Sequence, residues 1–215
     1  MKSTPSAIIA QAIILFNTKG FFNVSVKDIA QNMGISPGNL TYHFKKKEYL
    51  LSAIQQEMFE MVDGIIIPKG QYLTLKHFEE VFNQFFQVQQ KYRFYFSDIQ
   101  YLMAEYPDAI NDYKRITTKR FKDARELVDY YIATNRIVEE NERVNYNDMI
   151  HNLWAISTFW TLSRALIDVT ENKQMSYDSP IQALWSILLP FLTEKGYAEY
   201  KEILLLKNEN KITNL

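Results

Sequence analysis

Between Ser36 and Lys47 the chain reads SPGNLTYHFKKK, and its side chains offer hydrogen bonds and charge rather than nucleophiles. Asn can pair bidentately with adenine, Thr can give a hydroxyl to a base edge or a methyl to thymine, and Tyr and His can donate to phosphate oxygens. Asn39, Thr41, Tyr42 and His43 supply these groups, Gly38 permits close backbone approach, and Lys45, Lys46 and Lys47 concentrate positive charge beside them. The chemistry they fit is non-covalent recognition of a polyanion.

Short helices joined by tight turns have to position such groups. Thr4-Pro5 starts a first helix whose apolar stripe is Ile8, Ile9, Ala12, Leu15 and Phe16, and Gly20 ends it. Ser25 with Asp28 makes a capping-box start for a second helix over 26–33, and Gly34 suits a left-handed stop. Ser36 caps a third helix with Pro37 in its first turn and Leu40 and Phe44 as its inward stripe. The second and third helices form a helix-turn-helix, whose second helix enters the major groove. Asn39, Thr41, Tyr42 and His43 lie off the Leu40/Phe44 stripe; Lys27 is a further phosphate candidate. A fourth helix begins near Lys46, and its free N–H groups add to the pull on phosphate.

The charge distribution agrees. Residues 1–50 carry a net +4 and the remainder −5, although the whole chain is only −1. A basic head on an acidic body fits a small polyanion-binding module.

The segment from Ile8 to Leu51 resembles the DNA-binding domain of the TetR family of bacterial transcriptional regulators. The resemblance lies in 15-LFNTKGF-21, 24-VSVKDIAQNMGIS-36 and 37-PGNLTYHFKKKEYLL-51, in one unbroken register. It departs at one point: the family's aromatic usually follows directly after the leucine matching Leu40, whereas here Thr41 intervenes before Tyr42. Which of the two touches a base and which a phosphate stays open. The resemblance implies a dimer and a small-molecule inducer bound in the body.

The expected fold is all-α: an N-terminal three-helix helix-turn-helix DNA-binding domain over 1–48, then a larger helical ligand-binding and dimerisation domain over 49–207. A helix over 46–66, with Tyr49, Leu50, Ala53, Ile54, Met58, Met61 and Ile65 inward, connects the two before 68-PKG-70; residues 208–215 read as a frayed tail. Body helices are expected near 74–90, 92–104, 107–135, 145–171, 179–194 and 197–207, the last set off by Lys195-Gly196.

Two body stretches, 149-MIHNLWAISTFWTLS-163 and 179-SPIQALWSILLPFLT-193, lack charge and are apolar around most of the helix, so each needs burial on more than one side. Two per chain make a four-helix homodimer interface, with Trp160, Leu184, Leu188 and Phe191 as its candidate residues. DNA geometry independently favours two copies, which reach half-sites about 34 Å apart. With about four phosphates neutralised per chain, the salt slope is expected near −7. Phe82, Phe86, Tyr95, Phe96, Tyr101, Tyr113, Phe121 and Trp154 are candidates to line a pocket for a small, largely apolar or aromatic ligand, although aromatics at helical spacing also make ordinary core.

Catalysis finds little support. The chain has no cysteine, hence no disulfide, thiolate zinc site or cysteine nucleophile, which fits a cytoplasmic location. Asp148-x-x-His151 occurs once, where a two-metal helical bundle needs the pair twice, and His77 is the only other histidine of the body. No cofactor is implied. The run 7-AIIAQAIILF-16 imitates a secretory core, but 17-NTKG-20 offers no cleavage site. No window reaches the ~20 apolar residues of a membrane span, so no membrane partner is expected. Two other classes stay open: a helical interaction or small-molecule-binding protein without DNA binding, and a helical-bundle enzyme.

Overall fold

The start of each early helix follows from its cap. In the computed structural model, which describes residues 4–63, 66, 71–169 and 179–213, Thr4 caps α1 (Pro5–Lys19), and Gly20 ends it at φ 81°. Ser25 and Asp28 form the reciprocal capping box of α2 (Val26–Asn32), with Asp28 N–H donating to Ser25 Oγ at 3.1 Å and Ser25 N–H to Asp28 Oδ2 at 2.7 Å. Gly34 takes φ 67° in the turn, and Ser36 Oγ accepts from Asn39 N–H to start α3 (Pro37–His43). Thus the expected helix-turn-helix forms, and α4 (Lys47–Glu60) follows. Ile65, the 68–70 boundary, positions 170–178 and residues 214–215 lie outside the described residues.

The remaining helices are α5 (Leu75–Lys91), α6 (Arg93–Ser97), α7 (Ile99–Glu105), α8 (Pro107–Ala133), α9 (Tyr146–Val169), α10 (Pro180–Leu188) and α11 (Glu194–Thr213), with a 3-10 turn at Leu189–Phe191. The all-α expectation holds: among the described residues there are isolated bridges, such as Ile137 to Leu192, but no strand. Three expectations need correction. The single helix over 92–104 breaks at Asp98 into α6 and α7. Pro190, which lacks an N–H, ends α10 early in the 3-10 turn. The last helix, expected to end at 207, extends as far as Thr213 in α11.

By their contacts the residues divide into two units, Met1–Asp63 with Gln87–Thr117, and Gly64–Phe86 with Thr118–Leu215, whereas the sequence reading puts its boundary after residue 48. In the first unit Ile8, Phe16, Phe21, Ile29, Leu40 and Leu50 are all buried, and Phe16 meets Phe21 at 4.8 Å and Phe94 at 5.1 Å. Asn17 braces α1 against the α5–α6 turn: its Nδ2 donates to Lys91 O at 2.8 Å and its Oδ1 accepts from Phe94 N–H at 3.0 Å. Along α4, Leu50, Leu51, Ile54, Met58 and Phe59 face inward, while Tyr49 and Met61, expected inside, are exposed.

The second unit has its own core of Leu75, Phe78, Tyr131, Tyr146, Leu184 and Trp185. Fully buried Arg136 donates from Nε to Glu199 at 2.9 Å and from Nη2 to Tyr72 Oη at 2.7 Å, while Glu199 also accepts Leu75 N–H at 3.0 Å. Gly196 does not separate helices. It sits in the first turn of α11, where a Cβ would come within 2.0 Å of Arg136 O.

Candidate nucleic-acid interface

The α2–α3 pair presents the side chains its sequence assigns to recognition. Leu40 is fully buried and Phe44 nearly so, which fixes the rotation of α3. Ser36, Pro37, Gly38, Asn39, Thr41 and Tyr42 are therefore exposed on its other side, as are Lys27 on α2 and Lys45 and Lys46 beyond α3; His43 is half-buried. Tyr42 stands 83% exposed, edge-on to the His43 ring at 5.2 Å. The Thr41 hydroxyl shares its proton between Pro37 O at 3.1 Å and Gly38 O at 3.2 Å, so its methyl and lone pairs are what it has left to offer. Tyr42 is the freer donor of the two.

Lys47 stands apart from the other lysines. Between α3 and α4 the backbone is extended at Phe44 (φ −131°, ψ 94°) and at Lys46 (φ −140°, ψ 159°) and bends at Lys45 and Lys46; Lys45 and Lys46 come out exposed, whereas Lys47, already in α4, is half-buried. Lys46 lies 3.9 Å from Glu48, both exposed. Lys47 turns inward: its ammonium donates to Phe21 O, and it stands 3.9 Å from the Phe21 ring centroid and 5.5 Å from that of Phe16. Burial pushes it down to about 8, against the opposing charge of Asp28.

The eight aromatic candidates separate. Tyr95, Phe96, Tyr101 and Tyr113 belong to the first unit, and Phe82, Phe86, Phe121 and Trp154 to the second. Tyr95 is core, its hydroxyl accepting from Gln55 Nε2 at 3.0 Å, and Tyr101 is 72% exposed. Phe82, Phe86 and Phe121 flank the second unit's core, and Phe121 stacks on His151 at 4.6 Å and meets half-buried Trp154 at 5.8 Å. Among the described residues no three His, Asp or Glu side chains gather as metal ligands.

The four interface candidates also divide. Leu184 and Leu188 lie in the protomer's own core, because α10 packs against α9; they cannot meet a second chain. Trp160 and Phe191 are half-exposed. Among the described side chains of α9 the exposed large apolar ones are Phe159 and Leu162, at 41% and 52%, beside half-buried Ala155 and Ile156. Their i, i+3 spacing within a charge-free stretch was the available signal.

Family models settle the kinship. Residues 8–54 match that of "bacterial regulatory proteins, tetR family" and residues 55–200, most of the chain, match the TetR "bacterial transcriptional repressor" model. The chain belongs to the TetR family. That family comprises bacterial transcriptional regulators rather than enzymes.

Relatives agree with this placement. This TetR-family chain is 37% identical over 68 residues to the TetC protein of transposon Tn10 from Escherichia coli, covering 32% of this chain and 34% of that one. It is 28% identical over 88 residues to the biofilm operon negative transcriptional regulator IcaR of Staphylococcus aureus, covering 40% and 47%. The matches thus span about a third to a half of those relatives. A TetR-family regulator from Marinobacter aquaeolei VT8 superposes with a TM-score of 0.82 at 27% identity, over 96% of this chain and 98% of that one. The ketosteroid regulator KstR2 of Mycobacterium tuberculosis shares the fold at 16% identity and a TM-score of 0.60, over 90% and 97%. No helix among the described residues is long and apolar enough to cross a membrane.

Proposed function

We propose that the protein is a homodimeric, ligand-responsive repressor that binds a palindromic operator by laying α3 of each protomer in the major groove. The observation that carries this reading is the exposed polar face of α3, with Asn39 and Tyr42 in front and Lys45 and Lys46 just beyond it. Asn39 reads a base edge, and Tyr42 donates to a base or a phosphate while the Thr41 methyl packs on the groove floor. Lys27, Lys45 and Lys46 neutralise phosphates, and α4, whose Lys46 cap makes no side-chain bond, has its first free N–H groups to add to that pull. Repression fits because occupancy of a promoter is enough, and IcaR is a negative regulator by name.

The partner chain docks on α9 through Phe159, Leu162 and Trp160. The inducer is a small, largely apolar or aromatic molecule held near Phe82, Phe86, Phe121 and Trp154. It acts by preferring a dimer whose heads do not fit the operator; moving the population from 99:1 to 1:99 takes about 5.5 kcal/mol of preference.

Selection of bound duplexes from a random pool tests the reading. It predicts recovery of a palindrome with half-sites one helical turn apart. A pool that yields no enriched sequence would refute it.

A further inference from the structure

We propose that Lys47 is not a phosphate contact but a positioning residue, an anchor that ties the start of α4 to the α1–α2 turn and thereby aims Lys45 and Lys46 at the DNA. The inference deepens the operator-binding reading above and rests on it for its DNA arm.

Three observations carry it. The Lys47 ammonium donates to the carbonyl of Phe21, the turn residue between α1 and α2. It also lies over the faces of Phe21 and Phe16, where a cation is attracted by the ring quadrupole. Phe21 itself is fully buried between Phe16 and Phe94, so the anchor point is rigid. A side chain held this way closes a loop around α3: α1, α2, the recognition helix and α4 are joined at both ends of the segment that carries Asn39 to Lys46. The charged and titratable groups around it are Asp28 of α2, Lys46 and Glu48 on either side of it, and Tyr106, edge-on to Phe21 at 5.7 Å. Asp28 is committed to the α2 capping box, and the Lys46–Glu48 pair is solvent-exposed.

Side-chain NMR of the free, full-length protein tests the anchor without any DNA. The ε-methylene protons of Lys47 should resonate upfield of those of Lys45 and Lys46 through the ring current of Phe21, and Phe21→Leu should remove the difference. If Lys47 resonates with the other lysines, the anchor does not exist and the proposal is overturned.

Salt titration of binding to a pool-selected duplex tests the consequence. Lys45→Met should flatten the slope of log K against log salt by about 2 per dimer, as loss of two phosphate contacts requires. Lys47→Met should leave the slope unchanged while lowering affinity tenfold or more, and Lys47→Arg, which keeps a cation over the ring, should restore most of it. A Lys47→Met slope that flattens as much as that of Lys45→Met, or an affinity that does not change, overturns the proposal. Were the wild-type protein to bind no duplex, the operator reading would fail, and the NMR result would still decide whether Lys47 is anchored.

Discussion

Asn39 and Lys45 stand six residues apart and are assigned different tasks, which single substitutions separate. Asn39→Ala removes a base contact, so it should cost about 1–3 kcal/mol on the selected site and relax preference at one position of each half-site. Lys45→Ala should weaken all sequences alike. Sequencing the pools bound by each variant checks both, and equal pools from the two would contradict the assignment. Gly196→Ala is a test of packing. The added Cβ meets the Arg136 carbonyl at 2.0 Å, so overpacking should destabilise the second unit by about 1–3 kcal/mol, read as a lower denaturant midpoint.

At this scale the sequence was legible where a local rule applies. The Ser25/Asp28 box, the Ser36 cap and the positive-φ glycines 20 and 34 all appear as their residue types require. The direction of Lys47 was not legible, because three adjacent lysines read alike until the bend at Lys45 and Lys46 and the start of α4 bring Lys47 against Phe21. Nor was the reason for Gly196, whose close approach comes from Arg136, sixty residues away in the chain.

At the scale of elements, α9 is held at its start by a clamp on α8. Arg125 grips Glu140 with two bonds, Nη1 to Oε1 at 2.8 Å and Nη2 to Oε2 at 2.7 Å, and Glu140 Oε1 also accepts Tyr146 N–H at 3.0 Å, the first residue of α9. The Arg125 bonds, then the Tyr146 bond, hold Glu140 down at about 2. A depressed carboxylate stabilises the fold fully above its ordinary pKa, near 4.5, and loses that contribution as pH falls toward 2. Wild type should therefore exceed Glu140→Gln in unfolding midpoint at pH 6, and the gap should close as pH falls from 4.5 to 2. A gap independent of pH contradicts the clamp. Sequence patterns found the charge-free stretches 149–163 and 179–193, which fall in and around α9 and α10, yet not which faces the protomer itself covers. That is a tertiary fact: α10 spends Leu184 and Leu188 on the core, while α9 leaves Phe159 and Leu162 outside.

For the whole molecule, the face left bare on α9 is the proposed meeting place of two protomers. Phe159→Glu with Leu162→Glu puts two like charges on each side of that seam, and sedimentation should then show monomers where the wild type shows dimers. Retention of a dimer by the double variant would place the interface elsewhere. The charge division legible in the sequence, +4 over residues 1–50 against −5 beyond, acquires its meaning at this scale, since dimerisation doubles the number of basic heads on one ligand.

The most direct measurement is the salt dependence of binding between the wild-type protein and its selected duplex, with stoichiometry determined alongside. Lys27, Lys45 and Lys46 from each of two protomers neutralise six phosphates, so two chains should bind each site with a slope of log K against log salt of about −5. A slope near zero, or one chain per site, would contradict paired recognition helices gripping a single duplex.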